Sequence, residues 1–293
     1  MFFYKKQSKF TFLIIGSLLF LNLFFWLWVY DLNKVKFLEV NFFNIGQGDA
    51  ILIKTPKRYK ILIDGGPDRT ILKKLDKEIS FYDRSLDLII LTHPEKDHIS
   101  GLIDVLKKYK VKNILWTGIL RDTLEWKEWN DLINKEKAQV RIAYFGQRII
   151  FKNSNDYIYI DILNPFDNIE GKAFKNSNET SIVSHLLFKN ISFLFTGDIG
   201  ESTENTLIDK NIKSDVLKVP HHGSKYSSSE YFLEKVLPQV AVIQVGKNKY
   251  GHPHRDVLAR FKKFDIQVLR NDIDGDIKIF SDGDKIKIST LKI

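Results

Sequence analysis

The feature that most constrains this chain is an uncharged apolar run near its N-terminus, at residues 10–30. The run holds 21 residues without a charged side chain. As a helix rising 1.5 Å per residue it would reach about 30 Å, the thickness of a bilayer's hydrocarbon core. Trp26, Trp28 and Tyr30 stand at its far end, where amphipathic rings favour the membrane interface. The run therefore predicts a transmembrane anchor.

The flanking charges predict the orientation of this anchor. Three lysines precede the run, and no long basic loop follows it. Because positive flanks favour the cytoplasmic side, residues 1–9 are predicted to be a basic cytoplasmic segment. Residues 37–293, beyond a short joint at 31–36, are predicted to form a domain outside the cytoplasm. A signal peptide would end in small residues rather than bulky aromatics, and a soluble helix this apolar would be hard to bury.

Composition narrows the chemistry of that domain. The chain has no cysteine, which excludes disulfides, thiolate metal sites and cysteine nucleophiles. Its net charge of +9 includes the three N-terminal lysines, so the remainder carries +6. A moderately basic domain suits a polyanionic substrate or an anionic membrane surface. A coding bias toward Lys, Ile and Asn explains the same excess, so charge is only a weak indication.

Strand-like and helical patterns alternate through the rest of the chain. Residues 86–91 (LDLIIL) form a short, nearly continuous apolar run, typical of a strand buried on both faces. Helical patterns are found at 70–78, 99–110 and 123–137. No internal repeat or long linker interrupts them. Two groups of strands with helices between them predict a single α/β domain of layered sheets.

The strongest functional pattern is the loop that follows residues 86–91. It reads Thr92-His93-Pro94-Glu95-Lys96-Asp97-His98, so that a buried strand delivers two imidazoles and two carboxylates on one short turn. Such mixed nitrogen and oxygen ligands suit Zn²⁺ or Mn²⁺. A polar surface loop with ordinary helix caps is the alternative. The density of ligand-type residues favours a metal site.

Further ligand-type residues follow other strand-like runs. Asp64 ends one run, Asp198 follows Phe193–Phe195, the pair His221-His222 follows 216–219, and His252 and His254 follow 240–245. Each alone is weak, since Asp-Gly is a common turn and a single histidine more often packs or caps. Together they indicate that loops held by strands converge on one site. His185 lies inside an apolar run and is predicted to be a core or sheet-face residue.

At this point the sequence resembles the metallo-β-lactamase superfamily, and within it the hydrolase domain of the ComEC family of DNA-uptake proteins. The resemblance covers most of residues 37–258. The motifs that carry it are 44–50 (NIGQGDA), 63–66 (IDGG), 92–101 (THPEKDHISG), 178–181 (NETS), 196–198 (TGD), 221–224 (HHGS) and 250–254 (YGHPH).

The resemblance implies a four-layer αββα sandwich that follows the N-terminal transmembrane helix, with two divalent metal ions, Zn or Mn, at the open edge between its sheets. His93 and Glu95 would bind one ion, Asp97 and His98 the other, and Asp198 would bridge them. His222 and His252 would complete the ligand set and close the site. His221 and His254 would be their neighbours, and Asp64 would orient the ligands. Glu95 departs from the superfamily's usual histidine, and this makes the first position oxygen-rich.

The expected activity is metal-assisted hydrolysis of a phosphodiester, with Asp97 and His222 in the catalytic roles. Candidates for binding the phosphate or protonating the leaving oxygen are His222, Ser224 and Lys225. Lys247, Lys249 and Arg255 would add electrostatic attraction for a nucleic-acid backbone. The substrate would be DNA outside the cytoplasm, and a separate channel protein is a possible partner because this chain has one hydrophobic span. A small substrate (a lactam, thioester or cyclic nucleotide) and a catalytically inactive DNA-binding module are the alternatives.

Overall fold

The structure, a computed structural model, describes residues 3–32, 37–153 and 156–291. The chain divides into two compact units, 1–36 and 37–293. The predicted joint at 31–36 and the basic segment at 1–9 lie partly outside the described residues. The first unit is helix α1 (Phe3–Leu32), and its Lys9–Tyr30 stretch has a mean hydropathy of 2.3 with none of it buried. Length and composition make this helix a candidate membrane span.

The second unit is built from strands and helices in alternation. Its strands are β1 (Leu38–Phe42), β2 (Ile51–Lys54), β3 (Lys60–Ile63), β4 (Ser85–Leu86), β5 (Leu88–Ile90), β6 (Lys110–Val111), β7 (Asn113–Trp116), β8 (Gln139–Ile142), β9 (Arg148–Asn153), β10 (Asp156–Asn164), β11 (Val183–Phe188), β12 (Ile191–Phe195), β13 (Val216–Lys218), β14 (Val240–Ile243), β15 (Gln267–Arg270), β16 (Asp276–Ser281) and β17 (Ile286–Leu291). Its helices are α2 (Thr70–Glu78), α3 (Lys96–Leu106), α4 (Leu124–Lys135), α5 (Glu201–Leu207), α6 (Glu230–Val236), α7 (Arg255–Lys263) and α8 (Asn271–Asp274), with 3-10 turns at Asn178–Thr180 and Pro220–Gly223.

Two large sheets face each other. The first has the order β17-β16-β1-β2-β3-β5-β7-β8, and the second has the order β15-β14-β13-β12-β11-β10-β9. Between them lies a core that joins β1, β2 and β3 to β10, β12 and β13 through residues such as Phe42, Ile53, Ile160 and Phe195. Successive side chains of a strand point to opposite faces of the sheet. Leu52, the neighbour of Ile53, therefore packs on the outer face.

Helices cover both outer faces. Leu52 and Ile89 pack against α2, α3 and α4. On the second sheet, Leu194 and Leu217 pack against α5, α6 and α7. The layers therefore run α-β-β-α, which confirms the predicted sandwich. Strand β5 contributes to the central core through Ile90 and to the outer core through Ile89, as its continuous apolar run predicted.

The carboxyl ends of the parallel strands meet at one edge of the sandwich. Strands β3, β5 and β7 run parallel in the first sheet, and β12, β13, β14 and β15 run parallel in the second. The loops after these strands are tied across the gap, since the Ile182 amide donates to the Thr92 carbonyl at 3.0 Å. The Gln244 side chain likewise donates to the Ala50 carbonyl at 3.0 Å. These loops carry the ligand-type residues.

Both boundaries of helix α3 differ from the predicted 99–110, since the helix ends at Leu106. Helix α3 begins at Lys96 rather than near Ile99, so Asp97 and His98 stand in its first turn instead of in a loop. The 46–49 loop contacts this first turn of α3, and the Asp49 amide donates a hydrogen bond to the Asp97 carbonyl at 3.2 Å. Gly48 has a φ of +134°, and a Cβ there would lie 2.3 Å from the same carbonyl oxygen. Only glycine permits this approach.

Candidate metal centre

A cavity of about 210 Å³ opens at this edge of the sandwich. It lies where loops after β5, β12, β13 and β14 converge. The residues that line it are Gln47, His93, Glu95, Asp97, Asn178, Asp198, His221, His222, Tyr250 and His252. Six of the seven predicted metal ligands therefore line one cavity, and the seventh, His98, is fully buried beside it.

His98 is oriented by a buried carboxylate. Asp64, directly after β3, accepts hydrogen bonds from the Thr92 amide at 2.8 Å and the Thr92 hydroxyl at 2.7 Å. Its Oδ2 also lies 2.8 Å from His98 Nδ1. With the Nδ1 proton committed to Asp64, Nε2 is left as the free ring atom, 3.4 Å from Asp198 Oδ2. This is how a supporting carboxylate fixes the tautomer of a metal-binding histidine.

His222 is fixed by a backbone carbonyl instead. Its Nδ1 lies 2.8 Å from the Gln244 carbonyl oxygen. Its Nε2 lies 3.1 Å from Asp198 Oδ2 and 3.3 Å from Asp97 Oδ2. The residue has a φ of +52°, and the preceding His221 has a φ of +48°. A left-handed conformation in two successive non-glycine residues is uncommon and marks a functional turn.

His93 completes a group of three imidazoles. Its Nδ1 lies 3.1 Å from the Thr92 hydroxyl and 3.3 Å from the Ser181 hydroxyl. The Ser181 oxygen in turn accepts a hydrogen bond from the Asp198 amide at 3.1 Å. The ring centroid of His93 is 4.2 Å from that of His98. Thr92 and Ser181 therefore hold one edge of the ring, while Nε2 faces the cavity.

These residues fit a divalent metal ion. Within the described residues, the Nε2 atoms of His93, His98 and His222 are all buried and form no hydrogen bond of good geometry, although those of His98 and His222 lie 3.4 and 3.1 Å from Asp198 Oδ2. Ligand atoms of His93, His98 and Asp198 lie within 4.8 Å of one another, as do those of Asp97, His98 and His222. Buried imidazole nitrogens without partners are costly, and an ion ligated by nitrogen and carboxylate oxygen would satisfy them.

Two neighbours of the site were not predicted. Lys218, at the end of β13, and Asp49 are each 1% exposed, and the lysine ammonium contacts the Asp49 carboxylate. Lys218 Nζ also donates to the Gly197 carbonyl at 2.8 Å and lies 3.4 Å from Asp198 Oδ1. A lysine inside the apolar run 216–219 was the sequence signal that could have identified this pair, because an unpaired charge is rarely buried.

The carboxylates of the site are held in the ionised form. Burial alone would raise the pKa of Asp198, but the charges of His222, His98 and Lys218 lower that pKa well below its usual value. The pKa of Asp97 is lowered in the same way by His98 and His222 against the effect of burial. Both side chains therefore offer charged oxygens to a cation at neutral pH.

The imidazoles divide into two kinds. Burial disfavours the charged form of His98, yet Asp198 and other carboxylates outweigh burial and raise its pKa well above the usual value. His222 behaves likewise, with Asp198 and Asp49 outweighing burial. Burial, aided by the charge of His98, instead lowers the pKa of His93 to about 3. In the metal-free protein, protons on His98 and His222 thus balance the carboxylates.

Glu95 has different surroundings from the other expected ligands. Its Oε1 accepts a hydrogen bond from Arg121 Nη2 at 2.6 Å and another from the Ser177 hydroxyl. It lines the cavity, but within the described residues it belongs to none of the groups whose ligand atoms lie within 4.8 Å of one another. The guanidinium of Arg121 therefore competes with any cation for this carboxylate.

The remaining histidines lie farther from the centre. His221 Nε2 is 3.2 Å from the Asn178 amide nitrogen, and the His221 ring centroid is 5.5 Å from that of His252. His252 lines the cavity, and burial together with His221 and His222 lowers its pKa to about 4. His254 caps α7, since its Nδ1 accepts from the Asp256 amide at 3.3 Å.

The other predicted residues are distributed over the rim and the core. Ser224 is buried, and its hydroxyl accepts from the Tyr226 amide at 3.4 Å. Lys225 places its ammonium 4.7 Å from the Tyr226 ring centroid. Arg255 is 92% exposed and lies 3.6 Å from Asp256. None of these three lines the metal cavity. His185 is buried in β11, as predicted, and lies outside the cavity.

Comparison with known proteins agrees with this architecture. Residues 44–247 match the model of the metallo-beta-lactamase superfamily. The chain is 31% identical over 261 residues to ComE operon protein 3 of Bacillus subtilis (strain 168), covering 82% of this chain and 32% of that protein. It is 28% identical over 259 residues to competence protein ComA of Neisseria gonorrhoeae, covering 87% of this chain and 34% of that protein. The chain spans about a third of the length of these curated relatives.

A solved structure shares the fold. The metallo-beta-lactamase fold protein YhfI from Bacillus subtilis aligns with a TM-score of 0.57 at 12% identity, covering 84% of this chain and 100% of that one. The sequence resemblance to metallo-β-lactamases and to competence proteins is thereby confirmed.

Proposed function

The chain belongs to the metallo-beta-lactamase superfamily, and on that premise we propose that it is a membrane-anchored phosphodiesterase that cleaves DNA outside the cytoplasm. Metal-dependent hydrolysis follows from the family and from the His and Asp groups at the edge of the sandwich. The observation that carries the proposal is the set of three buried, unpartnered imidazole Nε2 atoms around Asp198.

Two ions, Mn²⁺ or Zn²⁺, are proposed for this site. Asp97, His98, His222 and Asp198 would hold one of them, and His93, Asp198 and Glu95 the other. The second position is expected to be the weaker, because Glu95 already accepts hydrogen bonds from Arg121 and Ser177. When bound, such ions act as Lewis acids on a phosphoryl oxygen and acidify water.

The chain's own residues would then orient the reactants. Asp97 lines the cavity with a partly exposed carboxylate, and its lowered pKa keeps it ionised. An ionised carboxylate at this position can accept a hydrogen bond from the attacking water and align it. The position of His222 Nε2, 3.1 Å from Asp198 Oδ2 and 3.3 Å from Asp97 Oδ2, supports a role as a ligand. Its proposed catalytic contribution is therefore to hold the ion in place.

DNA is favoured as the substrate for two reasons. The curated relatives named above are a ComE operon protein and a competence protein, and competence is the uptake of DNA. Residues 31–293 also carry the net positive charge that a polyanion requires. The anchor predicted at residues 10–30 and the lysines before it would place the hydrolase domain outside the cytoplasm, where a separate channel protein would receive the remaining strand.

The test is a hydrolysis assay on the full chain in lipid nanodiscs with Mn²⁺ or Zn²⁺. Cleavage of DNA and of bis(p-nitrophenyl) phosphate is compared with cleavage of nitrocefin and a thioester. Asp97→Ala is expected to lower phosphodiester cleavage about 10²- to 10⁴-fold. Asp131→Ala, which removes an exposed carboxylate from α4, serves as the matched control.

Equal cleavage of DNA by the two variants would refute the assignment. Cleavage confined to nitrocefin or the thioester would establish a small-molecule hydrolase. Binding of DNA without bound metal and without cleavage would establish an inactive binding module.

A further inference from the structure

A second depression adjoins the metal cavity. It has a volume of about 630 Å³, and its lining residues are Gln47, Pro67, Lys96, Asp97, Lys247, Asn248, Lys249 and Tyr250. Gln47, Asp97 and Tyr250 line the metal cavity as well. The two spaces therefore share a wall formed by these three residues, and we call the second one the lysine groove.

The lysine groove is lined by three lysines and one carboxylate, that of Asp97, which also faces the metal cavity. Lys96 is 74% exposed, and its ammonium lies 3.6 Å from Glu125. Lys247 and Lys249 are exposed. In the part of the chain that the structure describes, neither has a carboxylate within 4.0 Å. Two of three ammonium groups are thus free to bind an anion.

An exposed aromatic ring stands between the groove and the metal cavity. Tyr250 is 64% exposed, and its ring centroid lies 5.8 Å from that of His252. The ammonium of Lys249 lies 5.9 Å from the same tyrosine ring. An aromatic face beside cationic groups is the arrangement with which proteins stack unpaired bases.

The loop that presents this ring is rigidly held. Asn248 Oδ1 accepts hydrogen bonds from the Tyr250 amide at 3.0 Å and the His252 amide at 3.1 Å. Its Nδ2 donates to the Gly246 carbonyl at 2.9 Å and the His252 carbonyl at 2.8 Å. Four hydrogen bonds to one side chain fix the backbone of the loop, so the Cα of Tyr250 has a defined position before any ligand binds. Such preorganisation reduces the entropy lost on binding.

We propose that the lysine groove binds an unpaired strand of nucleic acid, with Tyr250 stacking on a base next to the scissile phosphate. Lys96, Lys247 and Lys249 would bind successive phosphates leading away from the metal cavity. This inference rests on the proposed phosphodiesterase function and adds its substrate class. Bases in a duplex are stacked on each other and cannot present a face to the tyrosine, so single strands and frayed ends are preferred.

The first test measures binding without turnover. The full chain in nanodiscs, stripped of metal with EDTA, is titrated into a fluorescent 12-nucleotide oligo-dT and into a blunt duplex. Tyr250→Ala is expected to weaken oligo-dT binding about 5- to 150-fold, the range that base stacking supplies. Tyr250→Phe should keep the affinity, because the ring remains. Tyr82→Ala, at a 93% exposed tyrosine outside the groove, is the matched control.

The second test measures the charge of the groove. The double variant Lys247→Ala/Lys249→Ala should lower the slope of log affinity against log salt by about 1.4, since each single-strand phosphate contact contributes about 0.7. The double variant Lys73→Ala/Lys77→Ala, at exposed lysines of α2, removes the same charge elsewhere. If Lys247→Ala/Lys249→Ala loses more activity toward oligo-dT than toward bis(p-nitrophenyl) phosphate, that difference also supports the groove.

The outcomes separate the groove from the proposed function. If the protein hydrolyses DNA but Tyr250→Ala and Tyr82→Ala bind oligo-dT with the same affinity, the proposed groove is overturned. The proposed phosphodiesterase function then stands. Equal affinity for oligo-dT and duplex would also overturn the groove. Binding of oligo-dT that depends on Tyr250, in a protein that hydrolyses neither DNA nor the small diester, would support the groove and refute the phosphodiesterase.

Discussion

Asp64 Oδ2 lies 2.8 Å from His98 Nδ1, and both side chains are fully buried. Because the proton on Nδ1 is held by the carboxylate, the opposite nitrogen of the ring faces Asp198 and Asp97. Asp64 follows β3 and His98 stands in the first turn of α3, so this contact also joins two elements that form the edge of the site. The orientation of the ligand and the integrity of the edge thus depend on one carboxylate.

Asp64→Asn is therefore expected to weaken metal binding about 10- to 100-fold, the usual cost of losing a partner that orients a metal ligand. Isothermal titration of the metal-free protein with Mn²⁺ or Zn²⁺ measures this affinity. Asp87→Asn is the matched control, because Asp87 is also buried and accepts a backbone amide, that of Lys60 at 2.8 Å. Equal metal affinity in the two variants would limit Asp64 to a role in folding.

Arg121→Ala is expected to strengthen binding of the second ion, about tenfold or more. Charge-assisted hydrogen bonds contribute about 1.5–3 kcal/mol, and this variant releases the Glu95 carboxylate from such a bond. Metal titration followed by elemental analysis gives the number of ions per chain and their affinities. Arg148→Ala, which breaks the Arg148–Asp161 pair outside the cavity, should change neither. An unchanged second affinity in Arg121→Ala would show that Glu95 is not a ligand.

Lys218→Met should destabilise the metal-free protein by about 3–5 kcal/mol, since it leaves the buried carboxylates of Asp49 and Asp198 without their cation. A bound divalent ion supplies positive charge at the same place, so the loss should be smaller in the metal-loaded protein. Urea unfolding with and without metal measures both values. Lys278→Met, in an ion pair with Glu78, should cost the same in the two states. A metal-independent loss in Lys218→Met would contradict the electrostatic explanation.

The stabilisation by metal should grow with pH. The raised pKa values of His98 and His222 mean that the folded, metal-free protein binds these protons more tightly than the unfolded chain does. That contribution to stability is fully present below the unfolded value of about 6.5 and is lost as the pH rises through the folded-state values. A metal ion must displace the same protons, so its affinity rises with pH.

Scanning calorimetry measures the increase in Tm that Mn²⁺ or Zn²⁺ produces, at pH values from about 6 to about 8.5. The increase should be smallest at the acidic end. A shift of Tm that is constant over this range would mean that metal binding releases no proton from His98 or His222.

The proposed topology can be tested with a single cysteine, because the chain has none of its own. Lys57→Cys places a thiol in the exposed turn between β2 and β3. A membrane-impermeant maleimide should label this variant in intact cells as fully as in lysed cells. Labelling only after lysis would place the hydrolase domain in the cytoplasm and contradict the proposed orientation.

Several features of this protein are already contained in short stretches of sequence. The length of the apolar run at 10–30 predicts α1 as a candidate span, and the run at 86–91 predicts a strand buried on both faces. His93, Asp198 and the pair 221–222 each come within a few residues of a strand end, and Asp97 follows in the first turn of α3. Because parallel strands place their carboxyl ends at one edge, the sequence alone predicts that these residues lie close together, as the structure shows.

Other relationships arise only when distant segments pack. Asp49 and Lys218 contact each other across the gap between the two sheets, and Arg121 reaches Glu95 from the segment after β7. His254 resembles a ligand in sequence, but the structure uses it as a helix cap. The lysine groove combines Lys96 of α3 with the loop after β14.

The physical reason for this division is the range of the interactions. Hydrophobic periodicity and strand ends are properties of a few consecutive residues, so they can be recognised in sequence. Which buried charge meets which partner depends on sheet order and loop packing, which bring together residues far apart along the chain. The sequence therefore determined the candidate membrane span, the layered fold and the main ligand-type residues. The tertiary structure alone decided which nitrogen each imidazole presents, which carboxylate is already engaged and which lysines line the groove beside the metal cavity.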